Sequence, residues 1–419
     1  MEIRLPYNRG ELRAVLPDDF TIVPIAPRSQ AAAQNPTALV KQAVYHPLGD
    51  VSPPRAGMRV AIAINDKTRP VPHEILLPPV LAGLRHAGVR DQDVHFIIAA
   101  GTHPAIPPDE YAAILPQTIL AAYRVSCHDA YDKSKLTKLG ETARGTPIAI
   151  NSDYMGADYR IVIGNVEPHQ FQGYSGGVKS AAIGLAGAET INHNHAMMRQ
   201  AQAIWGSYEE NPARQDVEEI GAIIGIDFCV NAILNAQKAL VWAFAGDPVA
   251  VMQAGIPAVR ELYAVPVSAP VDLMIASPGG HPKDINLYQA QKGLAHASAV
   301  TRSGGRMILC AACPEGAGNA EYVRWMRQPQ ITSHNVVLEE FARQGFRVGR
   351  HKAFQVARDA ARIHTTLVTD MADELAHVLL LEKAASLQAA VDEALAGLPP
   401  GARIGLMPVA NATMPMVLQ

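Results

Sequence analysis

The sequence predicts an α/β protein of two domains, each with a mostly parallel sheet flanked by helices. The chain has 419 residues, which is more than one hydrophobic core usually serves. Short β-branched segments alternate along it with Ala/Leu-rich helical patterns, which is the order of elements in parallel α/β units. Hydrophobic residues make up 48% of the chain and charged residues 18%, so the composition provides ample material for buried cores.

The larger, N-terminal domain is predicted to span 1–266. Its buried strands are expected at Met58–Ile64, Val94–Ala99 and Tyr159–Ile163, because these segments are β-branched and run into polar loops. A helix is expected at Ile75–Ala87, after a proline-rich break. This order of elements predicts strands that lie parallel to one another.

A smaller C-terminal α/β domain is predicted for 270–401, with strands at Val271–Ala276 and Met307–Leu309. The segment Pro266–Pro270 (PVSAP) is typical of a linker between the two domains. The tail, 402–419, can complete either domain.

Charge and composition exclude several function classes. The chain carries 36 basic and 39 acidic residues, and no Lys/Arg run reaches four, so no nucleic-acid partner is expected. No apolar stretch is long enough to span a membrane, and no membrane partner is expected. Four cysteines are too few to staple a chain of this size, and the N-terminus lacks the apolar region of a signal peptide, so the expected compartment is the cytoplasm.

Ligands of open parallel sheets bind beyond the carboxyl ends of the strands. His103 and His169 lie in such exit loops and are acid/base candidates, because imidazole titrates near neutrality. A lone loop histidine more often satisfies a backbone carbonyl, but two on equivalent strand exits favour catalysis. The predicted exit loops are Asp66–Pro70, Gly101–Pro104, Glu167–His169, Ser175–Lys179 and, in the second domain, Asp284–Lys292.

The segment Gly173–Ser180 is a glycine-rich turn that nearly matches a phosphate-binding P-loop. Val178 stands where that motif requires its second glycine. A phosphate site and an ordinary tight turn are therefore equally compatible with the spacing.

Two further groups can bind a metal or an anion. His193 and His195 carry imidazoles that suit nickel, zinc, copper or iron, although two polar histidines on a helix surface are an equal alternative. No further ligand stands at a metal-site spacing, which favours one histidine completing the coordination of a metal carried by an organic cofactor. Gln289 and Lys292 share a helix face, and Arg69 offers a fork suited to a carboxylate, unless all three are merely solvated.

Together these motifs resemble the nickel-pincer lactate racemase family of 2-hydroxyacid racemases and epimerases. The resemblance runs from about residue 10 to at least 318 and covers both domains. Ile183 departs from the family, which commonly has a proline there, and so does His281, where an aromatic or aliphatic residue is expected. The matching motifs are Asp66-x-Thr68-Arg69-Pro70, Gly101-Thr102-His103, His169, Tyr174-Ser175-Gly176-Gly177-x-Lys179, His195 and Asn286-Leu287-Tyr288-Gln289-x-x-Lys292.

The resemblance implies a nickel pincer nucleotide (nickel pyridinium-3,5-bisthiocarboxylic acid mononucleotide), supplied by separate biosynthetic enzymes. It implies that His195 is the protein's nickel ligand and that Lys179 can hold the cofactor covalently. It also implies that His103 and His169 are acid/base groups on opposite faces of the substrate carbon. Asp66, Thr68, Ser175, Gly176 and Gly177 are expected on the cofactor side, with Asp66 orienting His103 or Arg69. The expected substrate-binding residues are Arg69, Tyr288, Gln289, Lys292 and His281.

The implied reaction inverts C2 of a 2-hydroxy acid by reversible hydride transfer, in an active site expected in the cleft between the domains. The polar His281 favours a substrate more polar than lactate, such as a sugar acid or a dicarboxylate. Two alternatives remain. A nicotinamide-dependent dehydrogenase lacks its expected G-x-G-x-x-G fingerprint here, and a non-catalytic carrier of the nickel cofactor does not need both His103 and His169.

Overall fold

The computed structural model describes residues 1–28, 30–69, 71–235 and 237–418, which fall into two compact units. We call 30–262 the central unit, and 1–28 together with 263–418 the terminal unit. Within the described residues, none of the helices has the length and apolar character needed to cross a membrane.

The strands alternate with helices along most of the chain. The strands are β1 (Glu2–Tyr7), β2 (Gly10–Val15), β3 (Thr21–Pro24), β4 (Val60–Asn65), β5 (Val94–Ala99), β6 (Arg124–Cys127), β7 (Leu136–Glu141), β8 (Pro147–Asn151), β9 (Tyr159–Asn165), β10 (Pro168–His169), β11 (Gly173–Tyr174), β12 (Phe228–Leu234), β13 (Leu240–Gly246), β14 (Ala264–Val267), β15 (Val271–Ala276), β16 (Thr301–Cys310), β17 (His364–Val368), β18 (Glu382–Ala384), β19 (Arg403–Met407) and β20 (Met414–Val417).

The helices range from single turns to four turns. They are α1 (Pro36–Tyr45), α2 (His73–His86), α3 (Gln117–Ala122), α4 (Ser152–Met155), α5 (Lys179–Ala182), α6 (Ala188–Ala196), α7 (Pro212–Ile224), α8 (Pro248–Tyr263), α9 (Leu287–Ser298), α10 (Ala320–Met326), α11 (His334–Gln344), α12 (Arg350–Ala360), α13 (Asp373–Val378) and α14 (Leu387–Ala396).

The central unit is built on a six-stranded sheet in the order β13-β12-β9-β4-β5-β6. All neighbours are parallel except β12 and β13. Strand β4 is buried on both faces, because Val60, Ile62 and Ile64 enter one apolar cluster while Ala61 and Ala63 enter another. The chain runs outward from β4 to β5 and β6 on one side and from β9 to β12 on the other, so the strand order reverses between β4 and β9.

The terminal unit contains a second six-stranded sheet, β18-β17-β16-β15-β19-β3, in which all neighbours are parallel. The prediction of two α/β units with mostly parallel sheets is thus confirmed. The predicted strands Val94–Ala99 and Val271–Ala276 have the bounds found in the structure. Those predicted at Met58–Ile64 and Tyr159–Ile163 begin or end up to two residues away.

The structure corrects the predicted domain limits. Residues 1–28 belong to the terminal unit rather than to the N-terminal domain, because β3 pairs with β19 at the edge of the second sheet. The tail lies in the terminal unit for the same reason, since β19 is an inner strand of that sheet. Pro266 and Val267, the first two residues of the segment predicted as a linker, belong to β14, which pairs in parallel with β20.

Candidate active site

A cavity opens at the carboxyl ends of β4, β5 and β9 of the central unit, where the strand order reverses. This is the place where open parallel sheets bind their ligands. Its empty volume is about 720 Å³, including the part open to solvent, which suits a small molecule. Of the predicted functional residues, it is lined by Asp66, Arg69, His103, His169, Ser175, Gly176, Lys179 and His195.

His103 forms a hydrogen-bonded pair with the buried carboxylate of Asp66. Its Nδ1 lies 2.6 Å from Asp66 Oδ2, while the backbone N–H and the hydroxyl of Thr68 donate to Oδ1 at 3.0 and 2.6 Å. Burial by itself raises the pKa of Asp66, but the hydrogen bonds from His103 and Thr68 outweigh it and hold this pKa below its ordinary value. A charged Asp66 accepts the proton of Nδ1, so Nε2 of His103 is the atom that can take a proton.

His169 accepts a hydrogen bond at Nδ1, whereas His103 donates one there. His169 lies on β10, and its Nδ1 accepts a hydrogen bond from the backbone N–H of Gln172 at 3.2 Å. The ring of Phe171 packs edge-to-face against both His169 and His195, with centroids 5.0 and 4.9 Å away. Because Nδ1 is an acceptor, a neutral His169 carries its proton on Nε2.

Lys179 begins the short helix α5, directly after the glycine-rich turn. Burial, followed by the positive charges of Arg69 and Arg214, lowers the pKa of Lys179 well below its usual 10.5. Its amine is therefore more often unprotonated at neutral pH than that of an ordinary lysine, and an unprotonated amine is a nucleophile.

His195 lies on α6. Burial, with smaller contributions from the charges of Lys179 and Arg69, lowers the pKa of His195 to about 3. The imidazole is thus neutral at physiological pH, which is the form that binds metals. Among the described residues, the structure assembles no group of three or more His, Cys, Asp or Glu side chains suited to hold a metal ion.

The glycine-rich turn is tightly bound to the protein around it. The N–H of Ser175 donates to Glu167 O at 2.8 Å, and that of Gly177 donates to Asn231 Oδ1 at 2.7 Å. Gly176 has φ +83°, and a Cβ there would lie 2.7 Å from Asn231 Oδ1, so no larger residue fits. These two N–H groups are therefore taken by protein acceptors, and at them the turn is structural rather than a phosphate cradle.

Arg214 was missed as a site residue, although the motif Asn211-Pro212-x-Arg214 marks the start of α7. Its side chain is fully buried, and it donates to Tyr174 O at 3.0 Å and Gly176 O at 3.1 Å. It also pairs with Glu218. Arg214 therefore holds the turn that leads into Lys179, a role that short motif spacing does not reveal.

In the terminal unit, Tyr288, Gln289 and Lys292 lie on α9, and Lys292 Nζ donates to Gln289 Oε1 at 2.8 Å. Lys352 on α12 was missed, because one lysine in a polar helix carries no signal. It is 5% exposed, and its Nζ lies 4.3 Å from the ring centroid of Tyr288 and 2.9 Å from Gln355 Oε1. One lysine–glutamine pair thus lies on α9 beside Tyr288 in sequence, and the lysine of a second pair lies over the Tyr288 ring.

His281 and the cysteines of Cys310-x-x-Cys313 make other contacts. The side chain of the half-buried His281 has its Nε2 3.4 Å from a side-chain nitrogen of Arg9, and its backbone N–H donates to Asn8 O. The described contacts of His281 are therefore with the β1–β2 turn.

Burial raises the pKa of the Cys310 thiol and raises that of Cys313 to about 12, so both thiols stay protonated. Pro70 lies outside the described residues.

Comparisons with known proteins agree along nearly the whole chain. Residues 7–206 match the family model of the lactate racemase N-terminal domain, and 267–410 match that of the lactate racemase C-terminal domain. The lactate racemase of Lactiplantibacillus plantarum is 29% identical over 427 residues, 97% of each chain. That of Thermoanaerobacterium thermosaccharolyticum is 29% identical over 335 residues, 78% of each chain.

Solved structures agree as well. The lactate racemase apoprotein from Thermoanaerobacterium thermosaccharolyticum superposes with a TM-score of 0.90 at 26% identity, and all of both chains is covered. A protein from Thermotoga maritima shares the fold at a TM-score of 0.66 and 15% identity, over 93% of this chain and 100% of that one.

The lowered pKa of Lys179 predicts an unusual labelling profile. The rate at which trace acetic anhydride acetylates each lysine is measured by peptide mass spectrometry at several pH values and divided by the rate of the same lysine at pH 11. As the pH is lowered, this relative rate should fall later for Lys179 than for the exposed Lys133. Arg69→Gln removes one of the charges that lower this pKa, so it should shift the Lys179 profile toward higher pH and leave Lys133 unchanged. Coincident profiles for the two lysines would contradict the lowered pKa.

Proposed function

The chain belongs to the lactate racemase family and is a racemase, and on this premise we propose that it inverts C2 of a 2-hydroxy acid. One observation carries the proposal. His103, His169, Lys179 and His195 come from four separated motifs, and all four line one cavity at the switch point of the central sheet. A 2-hydroxyacid racemase needs groups that hold and move the hydroxyl proton of its substrate, and the two histidines of this cavity would meet that need.

The donor set of the cavity fits a nickel pincer nucleotide. His195 would hold the nickel, because it is a neutral imidazole, and Lys179 would hold the cofactor covalently, because its lowered pKa makes it nucleophilic. The backbone N–H of Ile183 donates to Lys179 O at 3.0 Å. A proline at 183 could not make this hydrogen bond, so the helical turn that begins at Lys179 has one backbone hydrogen bond more than a chain with proline there. When bound, the cofactor supplies a reversible hydride acceptor.

The two histidines start as different neutral tautomers, with the proton on Nδ1 in His103 and on Nε2 in His169. Nε2 of His103 takes the substrate's hydroxyl proton, and Asp66 stabilises the resulting imidazolium through Nδ1–H. His169 in its neutral form presents Nε2–H, so in this direction it hydrogen-bonds the substrate oxygen while His103 acts as the base, and the His103 imidazolium returns the proton to the oxygen of the product. Arg69, which lines the same cavity, offers its guanidinium to the substrate carboxylate.

The proposed substrate is more polar than lactate. In the terminal unit, Lys352 lies over the ring of Tyr288, and Lys292 follows Tyr288 by one turn of α9. Two lysines, one over Tyr288 and one a helical turn from it, favour an acid with a second anionic group, such as a 2-hydroxy dicarboxylate. Tyr288, Gln289, Lys292 and His281 remain the predicted substrate-binding residues.

Chiral chromatography of reactions with enantiopure 2-hydroxy acids tests the proposed reaction. The protein loaded with nickel cofactor should produce the opposite configuration, and His103→Gln should lower kcat by roughly 10²- to 10⁴-fold, the usual effect of losing a general base. Asp66→Asn should lower kcat with little change in KM, because it removes the partner that orients His103. The exposed Asp109→Asn serves as the control and should leave both constants unchanged.

Three outcomes would contradict the proposal. Full activity of His103→Gln would exclude its role as a base. Accumulation of a 2-oxo acid with stoichiometric reduction of a nicotinamide cofactor would identify a dehydrogenase. Binding of the nickel cofactor without inversion of any acid in the panel would identify a carrier.

The role of Lys352 predicts a change of substrate preference. Lys352→Met should lower kcat/KM for a 2-hydroxy dicarboxylate by roughly 10- to 100-fold, the effect of losing one charged hydrogen bond, and should change that for lactate far less. Lys352→Arg keeps the charge and should retain the preference for the dicarboxylate. Equal losses for both acids would show that Lys352 supports the fold rather than selecting the substrate.

A further inference from the structure

Three buried polar side chains form a hydrogen-bonded chain beside His195. Gln172, Asn194 and Asp216 are each 0% exposed. Gln172 Nε2 donates to Asn194 Oδ1 at 2.7 Å, and Asn194 Nδ2 donates to Asp216 Oδ2 at 2.9 Å. Since buried polar groups are usually paired, these hydrogen bonds restrict how the Asn194 amide can be oriented.

The orientation of Asn194 follows from partners that can only accept. Its Nδ2 faces the carbonyl of Ala213 at 2.8 Å and the carboxylate of Asp216, neither of which can donate. Its Oδ1 therefore faces His195 Nδ1, at 3.1 Å, and this oxygen can only accept. It follows that His195 carries its proton on Nδ1 and a lone pair on Nε2.

Asp216 is held in place by two hydroxyl groups. Thr142 Oγ1 donates to its Oδ1 at 2.6 Å, and Thr146 Oγ1 lies 2.9 Å from its Oδ2. Thr146 is also bonded to His193 Nδ1 at 2.8 Å, so the other histidine of the His-Asn-His motif belongs to the same network. A charged carboxylate polarises the Asn194 amide and so strengthens the bond from His195.

We propose that Asn194 and Asp216 are positioning residues that keep Nε2 of His195 unprotonated and turned to the bound nickel. The inference rests on the proposed function, in which His195 is the nickel ligand. Metal-binding histidines commonly donate their other ring N–H to a carboxylate or carbonyl oxygen, and here the carboxylate of Asp216 acts through the amide of Asn194. Gln172 links this network to the acid/base site, because its backbone N–H donates to His169.

Nitrogen-15 NMR of the histidine rings in the apoprotein tests whether His195 carries its proton on Nδ1. The spectrum should contain a ring in the Nδ1–H form that disappears in His195→Gln. In Asn194→Leu, a substitution of similar volume without an acceptor, the same ring should change its tautomer. Asn192→Leu, on the exposed side of the same helix, should leave it unchanged. A wild-type His195 in the Nε2–H form, or an unchanged ring in Asn194→Leu, would overturn the proposal.

Nickel retention tests the second step. With the protein loaded with nickel cofactor, loss of nickel to a chelator should be roughly 10- to 100-fold faster in Asn194→Leu, the usual effect of losing such a partner, and unchanged in Asn192→Leu. Asn194→Asp keeps an acceptor oxygen and should restore part of the retention. If Asn194→Leu does not fold, as judged by its melting temperature, Asp216→Asn replaces it and should also speed nickel loss.

Retention also separates this proposal from the function on which it rests. If wild-type protein takes up no nickel cofactor, the proposed function fails. If wild-type protein and the folded Asn194 and Asp216 variants retain nickel equally, while His195→Ala loses it, the nickel ligand stands and the positioning role is refuted.

Discussion

The parallel pairing of β4 with β9 is the constraint from which the candidate site follows. Val60 pairs with Tyr159 and Ile64 with Ile163, so the two strands end at the same edge of the sheet. Both continue into polar residues there, and Asn65 Nδ2 donates across the strand ends to Asn165 Oδ1 at 3.2 Å. Because apolar clusters cover both faces of β4, its polar groups can reach a ligand only at this end. The cavity therefore lies at the carboxyl ends of these strands.

Burial also sets the chemistry of two groups in that cavity. Burial is the main reason why the pKa of Lys179 and the pKa of His195 are both lowered. The positive charge of Lys179 lowers the pKa of His195 further. A neutral amine is a nucleophile and a neutral imidazole is a metal ligand. Burial therefore gives both Lys179 and His195 the neutral form that their proposed roles require. Asp66 is the opposite case, since hydrogen bonds keep it charged despite burial, and it can then stabilise a cation on His103.

The sequence was informative wherever function depends on local order. The strands β5 and β15 and the exit loops with His103, His169 and Lys179 were found because β-branched runs end in unusual polar residues. Long-range pairing leaves no such signal: β3 is four residues long and joins β19 from the other end of the chain, so residues 1–28 were assigned to the wrong domain. Asp216 and Lys352 were missed because a polar residue on a helix looks solvated until its burial is known.

The central claim, that the hydrogen at C2 leaves and returns without exchange with water, is tested most directly by isotopic labelling. An enantiopure 2-hydroxy acid that carries deuterium at C2 and is racemised by the enzyme in ordinary water should give an inverted product that still carries deuterium, as measured by chiral separation and mass spectrometry. A base that acts on the hydroxyl proton, with a hydride acceptor for the hydrogen of C2, requires this retention. An inverted product in which protium has replaced the deuterium would show direct deprotonation of C2 and would contradict the account.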